Sequence, residues 1–444
     1  MTAHRPTTDR SSGGLTRRTV LGAGLAAAGL SGAFAGGLAT ARTAPAATAG
    51  SDVVPFRGRH QAGIVTPTQE HLHLASWDVT TSSRTALVAL LRAWTVAADR
   101  LTRGLPAGGG PGLDDAPPAD TGEAVDLPPA RLTLTFGFGA TLFETADGRD
   151  RFGLAGRRPA ALVDLPHFAG DALEESRCGG DLMVQACADD PQVAVHAIRN
   201  LARIAFGTAA VRWSQLGYGR ASSTSTSQPT PRNLFGFKDG TANLTAEQDD
   251  ALAAHVWVPG ATGTTGTTGT GAGAGDWMAD GSYLVARRIR MQIETWDRTS
   301  LRTQERSVGR SKQEGAPLSG GTERTEPDLA ATGPDGTPLV PVDSHVALAH
   351  PSRHDGVRML RRGYSYTDGS DGLGHLDAGL VFLAYVRDPR THYIPMQTAL
   401  ARDDALSEYL RHTGSSLWAV PRGIPEDADL AGPNGAFIGE GLLA

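Results

Sequence analysis

The stretch Asn233-Leu-Phe-Gly-Phe-Lys-Asp-Gly-Thr-Ala-Asn243 places two aromatic residues, one acid and two glycines within a few positions. Phe235 and Phe237 alternate as in a short buried strand, and the pair Asp239-Gly240 ends that pattern. A carboxylate at the end of an apolar run is costly to bury, so it needs a partner or a task. The simpler interpretation of the same residues is an Asp-Gly turn between two strands.

Two later stretches carry a second group of polar residues in an apolar setting. Val342-Asp-Ser-His-Val-Ala-Leu-Ala-His-Pro351 contains two histidines, and Met359-Leu-Arg-Arg-Gly-Tyr-Ser-Tyr366 contains two adjacent arginines. His345 has apolar neighbours in sequence and Asp343 close by. A lone histidine in an apolar strand is more often a packed core residue than a ligand.

Together these stretches resemble the dye-decolourising peroxidases, a family of haem enzymes. The Gly-Phe-Lys-Asp-Gly-Thr run matches the distal motif of that family, and the Ser-His-Val-x-Leu-Ala-His-Pro run matches its proximal haem-ligand segment. The resemblance extends from about Pro55 to about Ile424. Four further segments match family landmarks: His60–Ile64, Gly180–Gln185, Ser282–Ile289 and Glu294–Ser300.

The resemblance implies an α+β fold of two ferredoxin-like halves, each an antiparallel sheet with flanking helices. It places one haem b per chain mainly in the C-terminal half. We set the halves at residues 47–225 and 226–444, after a signal peptide at residues 1–46. The implied activity is that of a peroxidase, which reduces hydrogen peroxide and oxidises dyes, phenolics or similar bulky reductants, small or polymeric, through a ferryl intermediate.

The resemblance also changes the interpretation of His345, which becomes the axial ligand of the iron. A peroxidase haem needs one neutral imidazole on one face and an open second face. His350 and His354 are rivals by residue type, but each lies next to a loop signal. The other residues implied to lie against the haem are Gly240, Thr241, Ala242, His350, Pro351, Ser352 and Arg361.

Peroxide must lose a proton from one oxygen and gain one on the other before its bond breaks. This requires an acid–base group and a cation that stabilises developing negative charge. Asp239 suits the first role and Arg361 the second, and both match the distal pair of the family. Successive side chains of a strand point to opposite faces, so we expect Arg362 to face away. Gly363 stands where some relatives have Asn.

Charge and cysteine content narrow the function classes. The net charge is −6 and the sequence pI is about 6.1, so the chain lacks the basic footprint of a nucleic-acid-binding protein. An extended segment between Cys178 and Cys187 would hold the sulfurs about 25–30 Å apart, too far for a disulfide. We therefore expect two free thiols. The oligomeric state is left open.

The first residues are typical of an export signal. Thr16-Arg-Arg-Thr-Val-Leu21 precedes an uncharged stretch rich in alanine, glycine and leucine. The paired arginines predict the twin-arginine form, recognised by the twin-arginine export machinery. A membrane anchor is the alternative, because the stretch is long enough to span. Cleavage after Ala41 or Ala46 would release the protein to the periplasm, the cell-wall side or the extracellular medium.

Hydrophobic periodicity predicts alternating strands and helices. We expect strands at Leu74–Val79, Leu132–Phe136 and Asp181–Ala186, and helices over Thr81–Leu101 and Pro191–Phe206. The segments Gly180–Pro191 and Ala378–Pro389 are similar, and the second leads towards a helix predicted at Asp404–His412. This internal similarity independently predicts a duplicated α+β fold. Three glycine-rich segments are predicted to be irregular: residues 104–130, 260–275 and 315–337.

Three other functions compete with the peroxidase. A zinc hydrolase could use His60, His71 and His73, but no H-E-x-x-H motif is present. A serine hydrolase lacks the G-x-S-x-G motif. The strongest alternative is a haem carrier, or an iron-releasing protein of the deferrochelatase kind, that uses the same His345 pocket.

Bulky reductants do not fit a pocket sized for peroxide. Their electrons would therefore leave at the surface and travel through redox-active side chains. The candidates in the C-terminal half are Trp418, Tyr364, Tyr366 and Tyr385, although most such residues serve ordinary packing.

The export signal generates a first prediction. Replacing Arg17 and Arg18 with lysine should leave the protein in the cytoplasm, because the twin-arginine machinery reads the pair. Cell fractionation with immunodetection checks the outcome. Continued export of the lysine variant would show that a different signal operates.

Overall fold

A computed structural model describes residues 52–109, 115–260 and 276–443. The predicted signal peptide and nearly all of the Thr/Gly tract at 260–275 lie outside these residues. None of the helices in the described ranges is long and apolar enough to cross a membrane.

Nine strands are present in the described ranges. They are β1 (His71–Val79), β2 (Thr133–Gly139), β3 (Leu182–Ala188), β4 (Ala209–Arg220), β5 (Ser282–Met291), β6 (Leu360–Arg361), β7 (Tyr364–Ser370), β8 (Leu376–Val386) and β9 (Leu410–Val420).

The same ranges contain ten α-helices. They are α1 (Arg84–Leu101), α2 (Ala140–Phe143), α3 (Pro191–Ile204), α4 (Asp249–His255), α5 (Ile293–Arg298), α6 (Leu301–Val308), α7 (His345–Leu348), α8 (Pro389–His392), α9 (Ile394–Asp403) and α10 (Glu440–Leu443). Short 3₁₀ turns occur at Ala155–Arg157, Glu175–Arg177, Asp276–Met278, Pro351–Arg353 and Ala405–Tyr409.

The strands form one antiparallel sheet that closes on itself. The order is β5-β9-β2-β3-β1-β4-β7-β8, and β8 pairs back to β5. The short strand β6 pairs with the far end of β8. The strands from the two parts of the chain meet at β2–β9 and at β4–β7, each through two residue pairs. The result is an α+β fold built on an antiparallel barrel.

The two long helices of the first part pack together on the outside of this barrel. Helix α1 begins at Ser83, whose hydroxyl accepts the Ala86 amide, and α3 begins at Asp190, whose carboxylate accepts two amides. Their buried residues recur at helical spacing. Trp94 joins the helices because its Nε1 donates to the Leu201 carbonyl at 2.8 Å. This outer layer forms the larger hydrophobic core.

A second core fills the inside of the barrel. Its members alternate along the strands with those of the outer core, as the two-residue strand period requires. The barrel is therefore packed, and burial of each large apolar side chain stabilises it by about 1.5–3 kcal/mol. The largest inner side chains are the fully buried Trp418, Tyr364, Tyr366 and Tyr385.

Most of the predicted elements are confirmed. The strands near residues 74, 132 and 181 are β1, β2 and β3, and the two predicted helices are α1 and α3. Residues 315–337 contain neither helix nor strand. Cys178 and Cys187 are free thiols, as expected.

The helix predicted at Asp404–His412 is wrong. The α-helix α9 ends at Asp403, a 3₁₀ turn follows, and Leu410 begins β9. Asp404 caps the 3₁₀ turn through the Leu406 amide, and β9 pairs with β5 along its whole length. This strand pairing outweighs the local preference for a helix. Because β5 is distant in sequence, residues 404–412 alone do not reveal the pairing.

A buried ion pair under the outer layer generates the second prediction. The side chains of Arg287 and Asp171 pair with each other and are 0 % and 1 % exposed. Asp171→Asn should lower the free energy of unfolding by about 3–5 kcal/mol, because it leaves a buried cation without its counter-charge. Urea unfolding measures the change. Asp147→Asn removes an exposed pair with Arg149 and should cost no more than about 1 kcal/mol; equal losses would contradict the explanation.

Candidate active site

The stretch 233–243 forms a tight loop rather than the predicted buried strand. The Gly236 amide donates to the Asn233 carbonyl at 2.9 Å and the Asn233 amide to the Phe237 carbonyl at 3.0 Å. Phe235 and Phe237 are both buried because they pack on one partner, Trp296, at ring distances of 4.4 and 5.9 Å. The aromatic residues therefore anchor the loop, and the acid that follows them stays at its edge.

Gly240 is required by this loop. Its φ of +90° lies in the left-handed region, and a Cβ there would meet the Ser222 backbone at 3.0 Å. The bend after Asp239 therefore depends on glycine, as the Asp-Gly turn predicted.

Asp239 and Arg361 are joined by a direct contact. Arg361 Nη1 donates to Asp239 Oδ1 at 2.8 Å, and Asn233 Nδ2 donates to Asp239 Oδ2 at 3.2 Å. The two charged side chains are 16 % and 28 % exposed. The carboxylate is thus fixed through both oxygens while the pair keeps access to the surroundings.

Asn243 holds this pair together through the backbone. Its Oδ1 accepts the Arg361 amide at 2.7 Å, and its Nδ2 donates to the Arg361 carbonyl at 2.8 Å. Ser222 donates to the same carbonyl at 2.9 Å. Sequence reasoning assigned no role to Asn243 or Ser222, although Asn243 ends the quoted stretch. The only signal in the sequence was an amide side chain four residues after Asp239.

The two adjacent arginines face opposite ways, as expected. Arg362 is fully buried inside the barrel, where it donates to the Thr66 carbonyl and to Gln69. Only Arg361 reaches Asp239.

His345 lies at the first position of helix α7 and not in a strand. Its Nδ1 contacts Asp404 Oδ2 at 2.7 Å, and the Asp404 side chain is 2 % exposed. Burial of the ring opposes its charged form, but the charge and hydrogen bond of Asp404 outweigh this and raise the pKa of His345. Asp404 was missed because it is distant in sequence, whereas the Asp343 near His345 in sequence is exposed.

The structure brings His345, Asp239 and Arg361 into one site. The negative charge of Asp239 raises the pKa of His345 and the positive charge of Arg361 lowers it, so both groups are close enough to act on the ring. No hydrogen-bond partner for His345 Nε2 is found in the described residues, and the side chain is 36 % exposed.

The remaining predicted residues make contacts of their own, and their part in lining a cofactor stays a prediction. Thr241 Oγ1 lies 3.3 Å from Glu323 Oε1, and the Ala242 carbonyl accepts from Arg358 at 3.3 Å. His350 caps the turn that begins at Pro351. Both of its ring nitrogens are engaged, at 2.8 Å by Ser352 and at 2.7 Å by Glu326, so His350 cannot also be an iron ligand here.

These residues fit a haem. His345 presents one imidazole nitrogen that is free to bind iron, and Asp404 fixes the other nitrogen. Metal-binding histidines in proteins commonly have such a carboxylate partner. The Asp239–Arg361 pair adds an acid–base group and a cation to the same site.

Comparison with known proteins identifies the family. The sequence model described as "Dyp-type peroxidase, N-terminal" matches residues 61–219, and "Dyp-type peroxidase, C-terminal" matches residues 230–424. The chain belongs to the DyP-type peroxidase family. Members of this family are haem-binding enzymes, so the chain is a haem peroxidase, an oxidoreductase.

Individual relatives agree with this assignment. The chain is 38 % identical over 395 residues to the dye-decolorizing peroxidase of Thermobifida fusca, covering 86 % of this chain and 83 % of the relative. It is 36 % identical over 426 residues to a deferrochelatase of Yersinia pestis, covering 92 % of each.

Solved structures show the same fold. Ferric DtpA from Streptomyces lividans superposes with a TM-score of 0.77 at 41 % identity and covers 89 % of this chain and 98 % of its own. A DyP-type peroxidase from Cellulomonas bogoriensis has a TM-score of 0.72 at 38 % identity, with 89 % and 99 % covered.

The His345–Asp404 contact generates the third prediction. Asp404→Asn should weaken haem retention about 10–100-fold, because loss of the carboxylate makes the imidazole a poorer ligand. The rate of haem transfer to a haem-scavenging protein measures it. Asp343→Asn, which changes the exposed acid nearest His345 in sequence, should have no effect. Equal haem loss from both variants would contradict the role of Asp404.

Proposed function

We propose that this chain reduces hydrogen peroxide at one haem b bound through His345, with Asp239 and Arg361 acting on the peroxide. The observation that carries the proposal is the 2.8 Å contact of Arg361 with Asp239 in the site that also contains His345. When bound, haem would supply the redox chemistry of peroxide reduction, and His345 would hold its iron.

Asp239 is the proton carrier of this proposal. It takes the proton from one peroxide oxygen and returns it to the other, a role that requires a carboxylate held in a fixed position. Asn233 and Arg361 provide that position by binding one carboxylate oxygen each.

Arg361 supplies positive charge where negative charge develops as the oxygen–oxygen bond breaks. Asn243 and Ser222 hold its backbone, so the guanidinium needs no reorganisation. Gly363 carries no side-chain amide, and its amide proton is donated to Ser222. The distal acid and cation thus act without a third polar side chain from that position.

The remaining members of the pocket hold the cofactor. Asp404 orients His345 from behind, through the nitrogen that does not bind iron. We assign the cofactor-lining role to residues on two segments, namely Gly240, Thr241, Ala242, His350, Pro351 and Ser352.

We infer that each part of the barrel is a ferredoxin-like half. Two observations support this. The first part runs β1-α1-β2-α2-β3-α3-β4, with the strand order β2-β3-β1-β4. The second runs β5-α5-α6-α7-β6-β7-β8-α8-α9-β9, and its long strands have the order β7-β8-β5-β9. All four charged or ligating site residues, Asp239, His345, Arg361 and Asp404, fall in the second half, which is why we place the haem there.

The deferrochelatase relatives favour a second candidate, release or transport of haem iron through the same pocket. A carrier needs the His345 contact but has no need of a carboxylate and a guanidinium on the opposite side. Apolar side chains in place of these two groups would avoid the free-energy cost of holding charges in a partly buried pocket. The Asp239–Arg361 pair therefore favours the peroxidase.

The compartment and the reductant complete the proposal. The Arg17-Arg18 signal supports export by the twin-arginine machinery, after which dyes, phenolics or polymeric reductants are accessible. Trp418, Tyr364, Tyr366 and Tyr385 are each 0 % exposed, so no external reductant can touch them. They can serve only as interior relays that receive electrons from another residue.

Oxidation of a tyrosine releases its proton, which separates the candidates further. In the described residues Tyr385 donates a hydrogen bond to Gln185 Oε1 at 3.0 Å, whereas the hydroxyls of Tyr364 and Tyr366 have no partner. Among the tyrosines Tyr385 is therefore the better relay, and Trp418 remains a candidate in the same inner core.

The fourth prediction tests the peroxide step. Arg361→Leu should slow single-turnover oxidation of the enzyme by peroxide by at least about tenfold, or ~1.4 kcal/mol. Asp239→Ala should also slow it, and the double variant should approach the rate of free haem. Stopped-flow absorbance measures each rate.

The matched control is Arg353→Leu, an exposed arginine on the neighbouring turn, which should react like wild type. Arg362→Leu is unsuitable because it removes a buried, hydrogen-bonded cation. If wild type and the double variant both react at the rate of free haem, the carrier function is correct instead.

A further inference from the structure

One end of the barrel contains a cavity of about 330 Å³. Its apolar walls are the inward side chains of Leu74, Trp213, Ala286 and Val381, and its polar walls include Gln215 and Ser416. Glu174, Ser176 and the half-buried Arg177 form the rim. None of His345, Asp239 and Arg361 lines it. A concave, mostly apolar space with a few polar groups is the usual form of a small-molecule site.

The charges around the cavity are already paired. Arg288 donates to Asp368 at 2.9 Å and to Asp377 at 2.8 Å. Arg177 pairs with Glu174 at 2.7 Å. Arg287 also lines the cavity and pairs with Asp171. Three cations therefore face four carboxylates, and none of the three cations lacks a counter-charge for an anionic ligand to supply. This balance favours a neutral ligand, since an anion would meet net negative charge.

The cavity gives access to a pair of tryptophans. Trp213 lines it and is partly exposed, and its indole is fixed because Nε1 donates to the Gly179 carbonyl at 3.0 Å. The ring centroid of Trp213 lies 5.9 Å from that of Trp418. This is the separation of interacting aromatic rings. Trp213 therefore connects the fully buried Trp418 to the outside.

Strand register continues this connection towards the active site. Trp418 is opposite Leu284, and Leu284 is opposite Tyr385 on its other side. Tyr385 is in turn opposite Leu360, the residue before Arg361. All four of these residues face the inside of the barrel. Adjacent strands lie about 4.8 Å apart, so the row crosses the barrel wall in short steps.

We propose that the cavity binds a neutral single-ring aromatic reductant, a phenol or an aniline, and that Trp213 accepts its electron. The inference rests on the peroxidase function. Each phenol loses one electron to Trp213 and its hydroxyl proton to water at the open rim, leaving a phenoxyl radical. Trp213 passes the electron through Trp418 towards the site of His345. Two phenols return the two oxidising equivalents that one peroxide supplied on its reduction to water.

Trp213→Phe tests the electron step. It keeps an aromatic wall but removes the redox-active indole, so kcat/KM for phenol should fall by about tenfold or more. Trp257→Phe, at another partly exposed tryptophan stacked on His60, should leave kcat/KM unchanged. A sulfonated dye too large for the cavity should be oxidised as before by both variants. Unchanged phenol turnover in Trp213→Phe, or an equal loss for phenol and dye, would overturn the proposal.

Binding is tested separately from turnover. Isothermal titration of the ferric holoenzyme with phenol, without peroxide, should show binding to wild type and to Trp213→Phe. Ala286→Leu, which fills the cavity, should abolish it. Retained binding in Ala286→Leu would place the phenol elsewhere and overturn the assignment.

Single-turnover oxidation by peroxide is measured on the same preparations. Wild-type rates in Trp213→Phe and Ala286→Leu show that both variants are folded and active. If wild type itself reacts only at the rate of free haem, it is the peroxidase function that fails, and not the cavity assignment alone.

Discussion

The pairing of β8 with three other strands is the constraint on which the structure depends. β8 pairs with β5 on one side, and with β7 and then β6 on the other. This closes the barrel and leaves β6 as a two-residue extension at its end. Arg361 of β6 then points to the loop 233–243. Arg362, the next residue, points into the packed interior. A shift of register by one residue would exchange their positions.

The site residues lie on several separate segments, and side-chain contacts hold these segments against the barrel. Asn243 connects the loop 233–243 to β6 with two hydrogen bonds, and Trp296 holds the aromatic side of the same loop. Asp404, at the end of α9, fixes His345 at the start of α7. Each functional side chain is thus fixed by a partner that is remote in sequence. In the proposed reaction, such preorganisation would let the charged groups act on peroxide without first rearranging.

In the proposed function, peroxide and the aromatic reductant react at different places because the two sites differ in size and burial. Peroxide is small and can reach a partly buried acid and cation, whereas an aromatic reductant needs a larger apolar surface. The packed interior keeps Trp418 and Tyr385 away from solvent, and the cavity beside Trp213 provides the contact that they lack. The relatives of this chain include both a dye-decolorizing peroxidase and a deferrochelatase.

The sequence by itself determined the family, the cofactor, the two long helices and three of the four strands of the first part, and the opposed directions of Arg361 and Arg362. These follow from short motifs and from periodicity, which are local properties. It did not determine that Asp404 is the partner of His345, that Asn243 holds Arg361, or that residues 410–420 form a strand. Those contacts join segments far apart in the chain. Only the closed barrel, in which strand pairing outweighs local helical preference, decides which distant residues meet.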